Sequence, residues 1–189
     1  MEKLRFTKVI NIFLKGKNIY IRNFILKDIN KKYISWFSGK NHSLVYSRHY
    51  RKKYSRNNLI NYFHTLNSSN NLYIGIFDLK NNEIVGTISV YLNFQKNEGN
   101  LGILIGDEEY HSKGIGKEAC KLIINYILKS KIVRTIVAGT KKENIKMINL
   151  MKNLKMKKIA DSNSSITNYK TNKLIKWLGK NLKKLELFV

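Results

Sequence analysis

The spacing of apolar residues between positions 101 and 126 changes from that of a strand to that of a helix. A short apolar run from Leu101 to Ile105 is closed by Gly106, and a run of this length favours a buried strand. After a polar turn, the apolar positions recur in steps that trace one face of a helix: Ile115, Ala119, Leu122, Ile123, Tyr126 and Ile127. The pattern therefore predicts a strand, a turn and a long amphipathic helix.

The chain before position 67 predicts one clear strand and two helices. Leu4–Leu14 alternates weakly, and Asn18–Phe24 alternates well enough to form a strand. Asp28 can cap a helix that Gly39 ends, and Ser55 can begin a second helix. The segment between the helices is rich in Tyr, His and Arg, which is typical of a binding loop but also of an ordinary solvated connection.

The remaining pattern predicts a hairpin, a crossover and a final group of shorter elements. A strand that returns after a crossover helix should lie parallel to the strand before it. The predicted elements are strands at Leu72–Phe77, Ile84–Leu92 and Ile132–Ala138, turns at Asp78–Asn82 and Gln95–Asn100, a helix at Asn144–Leu154, and weaker strands at Met156–Ala160 and Lys173–Leu178 around a polar connection at Asp161–Asn172. No repeat or linker-like boundary divides the chain, so we expect one mixed α/β domain over residues 1–189.

The net charge of +24 raises the question of a nucleic-acid or other acidic partner. The excess is nearly all Lys, is spread over the whole chain and accompanies many Asn and Ile residues. The sequence contains no RNA-binding signature, zinc-finger spacing or basic-zipper pattern. A solvated lysine surface is therefore the favoured interpretation, and a basic nucleic-acid-binding module is the alternative from another functional class.

Cysteine usage and the length of the apolar runs indicate a cytoplasmic protein. Cys120 is the single cysteine, which excludes an internal disulfide framework, and its helical position favours a small core residue over a nucleophile. No apolar run approaches the roughly 18 residues of a membrane span. Lys15 and Lys17 interrupt the apolar N-terminal segment, which has no cleavage site of a signal peptide.

The turn before the long helix reads HSKGIGK and suits an anion. The N-terminus of a helix carries unpaired N–H groups and partial positive charge, and Gly114 and Gly116 would let a pyrophosphate approach the backbone closely. A plain strand-to-helix turn is the alternative. The dinucleotide fingerprint fails because Ala119 stands where its third glycine would be, and the Walker pattern fails because no GK[ST] is present.

The run from His111 to Gly116 resembles motif A of the GNAT superfamily of acyl-CoA N-acetyltransferases, which reads Gln/Arg-x-x-Gly-x-Gly/Ala at the start of a helix after a strand. A second similarity, to the ribosomal-protein N-acetyltransferase branch and related bacterial enzymes, lies at Asn144, Leu150 and Leu154. The order of elements is similar to the GNAT fold over about residues 18–178. The resemblance implies a single α/β domain with a mixed, mostly antiparallel sheet, a splayed parallel central strand pair and about four helices.

The resemblance also implies where acetyl-CoA, the co-substrate, would bind. The thioester carbonyl and the pantetheine amides would bond to strand backbone, the pyrophosphate would lie on the glycine turn, and a helix-start Asn would contact the pantetheine arm. The residues at these positions are Ile103, Leu104, Ile105, His111, Ser112, Lys113, Gly114, Ile115, Gly116, Lys117 and Asn144. The implied reaction is direct transfer to an amine, without a metal or a covalent enzyme intermediate.

The chain departs from the family pattern at the positions that usually carry acid–base chemistry. Asn100 stands near the position of the family's strand glutamate, and Met151 stands where a proton-donating Tyr is common. His111 replaces the Gln/Arg of motif A, and Lys155-Met156 replaces a Gly-Phe pair. The catalytic base is therefore open, and its candidates are His49, Glu98 and Glu83.

The segment from Tyr33 to Phe63 is similar to a bacterial subgroup that acetylates nucleotide-linked amino sugars for surface glycans. Its basic and aromatic residues would suit a nucleotide diphosphate: Tyr46, Arg48, His49 and Arg51. A protein N-terminus is the alternative acceptor. We expect a monomer or homodimer that acts on a small molecule and binds neither a specific nucleic acid nor a membrane.

Overall fold

An eight-stranded sheet organises the part of the chain that the computed structural model describes, which is residues 10–38, 41, 44–47, 52–67, 70–159 and 166–172. The spatial order of the strands is β1-β2-β3-β4-β5-β6-β8-β7. The strands are β1 Phe13–Lys15, β2 Ile19–Asn23, β3 Asn71–Asp78, β4 Ile84–Asn93, β5 Glu98–Ile105, β6 Thr135–Lys141, β7 Lys157–Lys158 and β8 Ile166–Thr171. The helices are α1 Lys31–Ser35, α2 Arg56–Asn67, α3 Ile115–Lys129 and α4 Ile145–Asn153, with short 3-10 turns at Leu26–Asp28 and Glu108–Tyr110.

Helices cover both faces of this sheet, which explains why the middle of β3 is apolar without alternation. Six consecutive residues of β3, Leu72–Phe77, are buried. Ile74 and Ile76 belong to an aliphatic core under α3 and α4, whereas Tyr73 and Phe77 belong to a second, largely aromatic core with α1 and α2. Successive side chains of a strand point to opposite faces, so one apolar strand supplies both cores.

The one parallel pair in the sheet, β5 with β6, separates after three residues. The pairs are Glu98 with Thr135, Gly99 with Ile136 and Asn100 with Val137. Beyond them, Leu101–Ile105 pairs with β4 on one side and with no described strand on the other. The predicted mixed sheet with a splayed parallel central pair is therefore confirmed.

Glu118 fixes the first turn of α3 against the β1–β2 hairpin. Its carboxylate accepts hydrogen bonds from the backbone N–H groups of Lys17 and Asn18 and, at 2.9 Å, from the Asn18 side-chain amide. A carboxylate in the first turn is also favourable toward the helix dipole. The start of α3 therefore has a defined position relative to the sheet.

The prediction that Asp28 caps the first helix is wrong. Asn30 is the N-cap of α1, where its side chain accepts the Tyr33 N–H at 2.9 Å. The Asp28 carboxylate accepts two 2.7 Å hydrogen bonds from the Arg22 guanidinium and one from the Ile25 N–H. The cation on β2 holds Asp28 before the helix begins, which leaves the capping role to the next residue with a short polar side chain.

The predicted starts of the two strands that flank α3, β6 and β5, are displaced. The strand expected at Ile132–Ala138 runs from Thr135 to Lys141, because the Ile132 N–H donates to the Ile127 carbonyl at 3.1 Å and still belongs to the end of α3. The turn expected at Gln95–Asn100 is shorter, since Glu98–Asn100 already pairs with β4.

The polar connection expected at Asp161–Asn172 contains strand β8, so that prediction is also wrong. Thr167, Tyr169 and Thr171 are buried and alternate with less buried Asn168 and Lys170, which is the period of a strand. Hydroxyl-bearing residues occupy the inward positions, and counting them as polar conceals the alternation. Of the two weaker strands, the first is reduced to Lys157–Lys158, with position 160 outside the described residues, and Lys173–Leu178 also lies outside them.

None of the helices in the described part of the chain is long and apolar enough to cross a membrane.

Candidate functional site

The open edge of β5 presents backbone groups toward β6. The Gly106 N–H donates to the Val85 carbonyl on β4 at 3.1 Å, and the Thr135 N–H of β6 donates to the Asn97 carbonyl at 3.2 Å. Because the backbone groups of a strand alternate between its two edges, even-numbered residues face β4 and odd-numbered residues face β6.

Among the strand residues predicted to bind a ligand, Ile103 and Ile105 therefore direct their N–H and C=O groups into the space where the strands separate. The backbone groups of Leu104 face β4, and its side chain lines the cavity described below.

The N-terminus of α3 lies beside this edge. Gly114 is the N-cap with φ of 80°, a left-handed conformation that favours glycine. No side chain caps the helix, so the N–H groups of its first turn, at Ile115, Gly116 and Lys117, lack acceptors within the helix. A Cβ at Gly114 would meet nothing within 4 Å, whereas one at Gly116 would lie 3.6 Å from the Ile103 side chain. The helix terminus therefore opens onto free space next to β5, which suits an anion.

The loop before α3 is tied to the end of β5 by His111. Its Nε2 lies 3.0 Å from the Ile105 carbonyl oxygen, and with the proton on Nε2 the ring donates to that oxygen. Ser112 follows in a left-handed conformation with φ of 60°, and the Lys113 ammonium lies 5.5 Å from the centre of the Tyr110 ring. This loop brings His111, Ser112, Lys113 and the two glycines together at one end of β5, as the spacing predicts.

Asn144 stands on the other side of the opening, at the start of α4. Its Oδ1 accepts the Met147 N–H at 3.1 Å, which makes it the N-cap of α4. Asn144 and Met147 also line a cavity of about 440 Å³, together with Ile103 of β5 and Gly139 of β6. The predicted ligand-binding Asn therefore lies across the cleft from the open edge of β5.

The same cavity continues through the sheet to the face covered by α1 and α2. There its wall is lined by hydroxyl-bearing side chains of α2, β3, β4 and the connection between α1 and α2: Tyr62, Tyr73, Thr87, Ser89, Tyr91 and Tyr46. Thr87 and Ser89 are successive same-face residues of β4, opposite Leu104 and Gly102 of β5. One continuous space thus joins the open edge of β5 to a hydroxyl-rich wall.

The most deeply buried hydroxyl groups at the hydroxyl-rich wall of the cavity are uncharged. The Tyr33 and Tyr73 hydroxyl oxygens lie 2.7 Å apart, and Tyr73 also bonds to Thr87. Burial raises the pKa of both Tyr33 and Tyr73 above the usual value of a phenol, so both hydroxyls stay protonated at neutral pH. They can donate and accept hydrogen bonds without carrying charge.

The two carboxylates predicted as candidate bases lie outside the cavity wall. Glu83 forms an ion pair with Lys32 at 2.6 Å beside the β3–β4 turn, and Glu98, at the start of β5, pairs with Lys170 at 3.2 Å. The third candidate, His49, lies outside the described residues, as do Arg48 and Arg51 of the predicted acceptor loop. Tyr46 of that loop is described and lines the cavity.

The residues at the two departures that concern acid–base chemistry lie within regular elements, β5 and α4. Asn100 lies within β5 opposite Tyr91, and Met151 is fully buried in the core under α4. The assignment of a base therefore stays a prediction. Among the described residues, no three His, Cys, Asp or Glu side chains are placed to hold a metal ion.

The hydroxyl wall was missed at the sequence level, although β4 carries a signal for it. Thr87, Ser89 and Tyr91 recur at every second position of a strand whose other face is Ile88 and Val90. On a strand with helices over both faces, such a polar row indicates a cavity or a polar contact.

A second cavity, of about 760 Å³, lies near β1 and β2 and is lined by residues that include Arg22, Asp28 and Glu83. It lacks the residues at the start of α3 and along the free edge of β5. Its size alone does not connect it to the glycine turn before α3.

Cys120 packs in the aliphatic core under α3, in agreement with its predicted role. Burial raises the pKa of its thiol to about 12, so the group is neutral at physiological pH. Cys120→Ala is therefore expected to leave turnover unchanged and to lower the free energy of unfolding by about 1 kcal/mol, as a small core truncation does. Steady-state kinetics and denaturant unfolding measure the two effects, and loss of turnover in a folded variant would contradict the structural role.

Residues 18–157 match the family model of the acetyltransferase (GNAT) domain. The Probable N-acetyltransferase YjcK of Bacillus subtilis (strain 168) is 28% identical over 145 residues, which are 70% of this chain and 76% of YjcK.

Solved structures share the fold. An acetyltransferase (GNAT family) from Bacillus anthracis has a TM-score of 0.70 at 18% identity, over 85% of this chain and 98% of its own. The ribosomal-protein-S5-alanine acetyltransferase from Vibrio fischeri has a TM-score of 0.66 at 18% identity, over 87% and 99%. FdhC, a nucleotide-linked sugar GNAT, has a TM-score of 0.67 at 16% identity, over 86% and 90%. The splayed strands, the uncapped helix and the match over most of the chain agree, and the protein belongs to the GNAT family of acetyltransferases.

Proposed function

We propose that this acyltransferase moves the acetyl group of acetyl-CoA directly to the primary amine of a nucleotide-linked amino sugar. GNAT enzymes use acetyl-CoA as the co-substrate. The observation that carries the proposal is the single cavity that joins the open edge of β5 to the hydroxyl-rich wall. Donor and acceptor could approach each other there from opposite faces of the sheet.

The donor half of the proposal rests on unpaired backbone groups. The N–H groups at Ile115, Gly116 and Lys117 would hold the pyrophosphate, and the edge of β5 at Ile103 would bond to the pantetheine arm. Asn144 stands on the opposite wall of the cleft for the same arm. The open space in front of Gly114 is what a phosphate needs to reach the helix terminus.

In the transfer step the neutral amine attacks the thioester carbonyl carbon. A C–N bond forms, the C–S bond breaks, and CoA leaves as a thiol that takes up the equivalent of the proton lost by the amine. The residues of β5 contribute position and N–H groups toward the oxygen on which negative charge develops. Holding two reactants at one point removes much of the entropic barrier of a bimolecular reaction.

The neutral hydroxyl wall supports a sugar as acceptor. Tyr73, Thr87 and Ser89 offer donors and acceptors that match sugar hydroxyl groups, and the exposed Tyr46 at the edge of the cavity could stack on a nucleotide base. A protein N-terminus is the second candidate, because ribosomal-protein acetyltransferases share the fold. We place the reaction in surface-glycan synthesis in the cytoplasm.

Acetyl-CoA should stabilise the folded protein against heat. A ligand at about 100 times its dissociation constant adds about 2.7 kcal/mol to the free energy of unfolding. We expect a rise in Tm with acetyl-CoA, and no rise when Gly116 carries a bulky residue. Absence of stabilisation at saturating acetyl-CoA would contradict the enzymatic function.

Thiol release from acetyl-CoA, measured over nucleotide amino sugars and N-terminal peptides, tests the acceptor. We expect turnover with the sugars. Turnover with the peptides alone would transfer the assignment to the second candidate, and salt-sensitive, sequence-specific nucleic-acid binding without turnover would favour the basic binding module instead.

A further inference from the structure

We propose that Lys117, Lys121 and Lys155 form a subsite for the 3′-phosphate of CoA and make the enzyme select donors that carry this phosphate. The inference rests on the proposed use of acetyl-CoA. It adds a ligand group, a second phosphate remote from the pyrophosphate, and the residues that would recognise it.

The first support is the packing of α3 against α4. A Cβ at Gly116, in the first turn of α3, would lie 3.8 Å from the Leu150 side chain of α4. Lys117 and Lys121 are one turn apart on the same side of α3, and Lys155 directly follows the end of α4. The three lysines therefore belong to two helices that pack against each other near the start of α3.

The second support is the mutual influence of these charges. Partial burial together with the positive charges of Lys117 and Lys155 lowers the pKa of Lys121 below its usual value. Like charges that are close enough to disfavour protonation are relieved by an anion placed among them. A phosphate dianion would supply the compensating charge, and each lysine could donate charge-assisted hydrogen bonds to its oxygens.

The third support is the backbone at Lys155. Its φ of 55° is left-handed, its N–H donates to the Lys152 carbonyl at 2.8 Å, and the Met156 N–H donates to the Met151 carbonyl at 3.1 Å. Such a helix end favours glycine, which has no Cβ to clash. Lys155 instead has a long cationic side chain at this position, where any residue with a Cβ lowers the stability of the fold.

The position also matches the shape of the donor. Lys117 ends the group of free N–H donors proposed for the pyrophosphate, and Lys121 lies one turn farther along α3. In CoA the ribose ring separates the pyrophosphate from the 3′-phosphate, a span comparable with one helical turn of about 5.4 Å. The second phosphate can therefore reach the lysines while the first stays at the helix terminus.

A comparison of acetyl-CoA with acetyl-3′-dephospho-CoA as donors tests the subsite. For the unaltered protein we expect the KM of the dephospho donor to be about tenfold higher or more, with little change in kcat, since one charge-assisted contact accounts for such a factor. Lys121→Met and Lys155→Met should raise the KM of acetyl-CoA and leave the KM of the dephospho donor unchanged. The KM values of the two donors should then be nearly equal. Lys129→Met removes the same charge from the last turn of α3 and should keep the full preference.

Two further measurements separate charge from fold and from turnover. Adenosine 3′,5′-bisphosphate should raise Tm more than AMP does, and Lys121→Met should remove the difference. Lys155→Gly should raise the Tm of the ligand-free protein, because it relieves the left-handed backbone, and should lower the preference for the 3′-phosphate.

Equal use of both donors by an active enzyme would overturn the subsite and leave the proposed function intact. Loss of preference in Lys129→Met would also overturn it, because a general effect of net charge would then be the cause. Absence of turnover and of stabilisation with either donor would instead overturn the proposed function, and the subsite with it.

Discussion

Gly114→Asp is expected to weaken acetyl-CoA binding about 100-fold or more relative to Gly114→Asn, since a like charge against a bound anion costs several kcal/mol. Both side chains tolerate the left-handed backbone at this position, where φ is 80°, and both would enter the open space in front of α3. The two side chains have nearly the same shape, so the ratio of the two dissociation constants for acetyl-CoA reports the effect of charge alone. Calorimetric titration with acetyl-CoA measures the two dissociation constants.

The ligand-free fold should survive this change. An acidic group near the start of a helix interacts favourably with its dipole, so the Asp variant should melt at or above the Tm of the Asn variant. If the Asp variant binds acetyl-CoA as tightly as the Asn variant does, the pyrophosphate lies elsewhere and the assignment of the HSKGIGK turn fails. A lower Tm in the Asp variant would show that interactions other than the one with the helix dipole determine the stability at this position.

The elements of the proposed donor site could be predicted from sequence because their determinants are local. The glycine turn, the helix from Ile115 and the strand that ends at Ile105 follow from residues adjacent in the chain, and each is confirmed as an element. The parallel direction of β6 relative to β5 follows from the long connection through α3 that joins the two strands. The separation of β5 from β6 after three pairs is a property of the whole sheet, and only the resemblance to a family indicated it in advance.

The hydroxyl-lined part of the cavity, the proposed acceptor side, could not be predicted in the same way, because it is assembled from β3, β4, β5 and the α1–α2 region. Its hydroxyl groups come from positions far apart in the chain, such as Tyr46 and Tyr91. The error at β8 has the same origin, since Thr167 and Tyr169 are inward-facing there and read as polar in the sequence. In this chain, strands that place Thr, Ser or Tyr on a buried face conceal the apolar–polar alternation.

Gly102→Val is expected to reduce turnover about 100-fold while leaving the stabilisation by acetyl-CoA intact, an effect of the size expected when positioning is lost by about 1 Å. A Cβ at Gly102 would lie 3.0 Å from Ser89 Oγ, so the valine side chain would enter the hydroxyl-lined part of the cavity. The backbone groups of Gly102 face β4, so the edge of β5 proposed to hold the pantetheine is unchanged. Valine is also compatible with a strand.

Ser89→Ala is the matched control, because it removes the facing hydroxyl without filling the space. It should lower kcat/KM by about tenfold or less, the effect of one lost hydrogen bond. Thermal shifts with acetyl-CoA and thiol-release kinetics, measured on both variants, separate binding of the donor from entry of the acceptor. Full turnover by Gly102→Val would show that the amine approaches by another route, and loss of the thermal shift would place the donor against the hydroxyl wall. The expected combination, a normal shift with strongly reduced turnover, would assign the two faces of β5 to the two substrates.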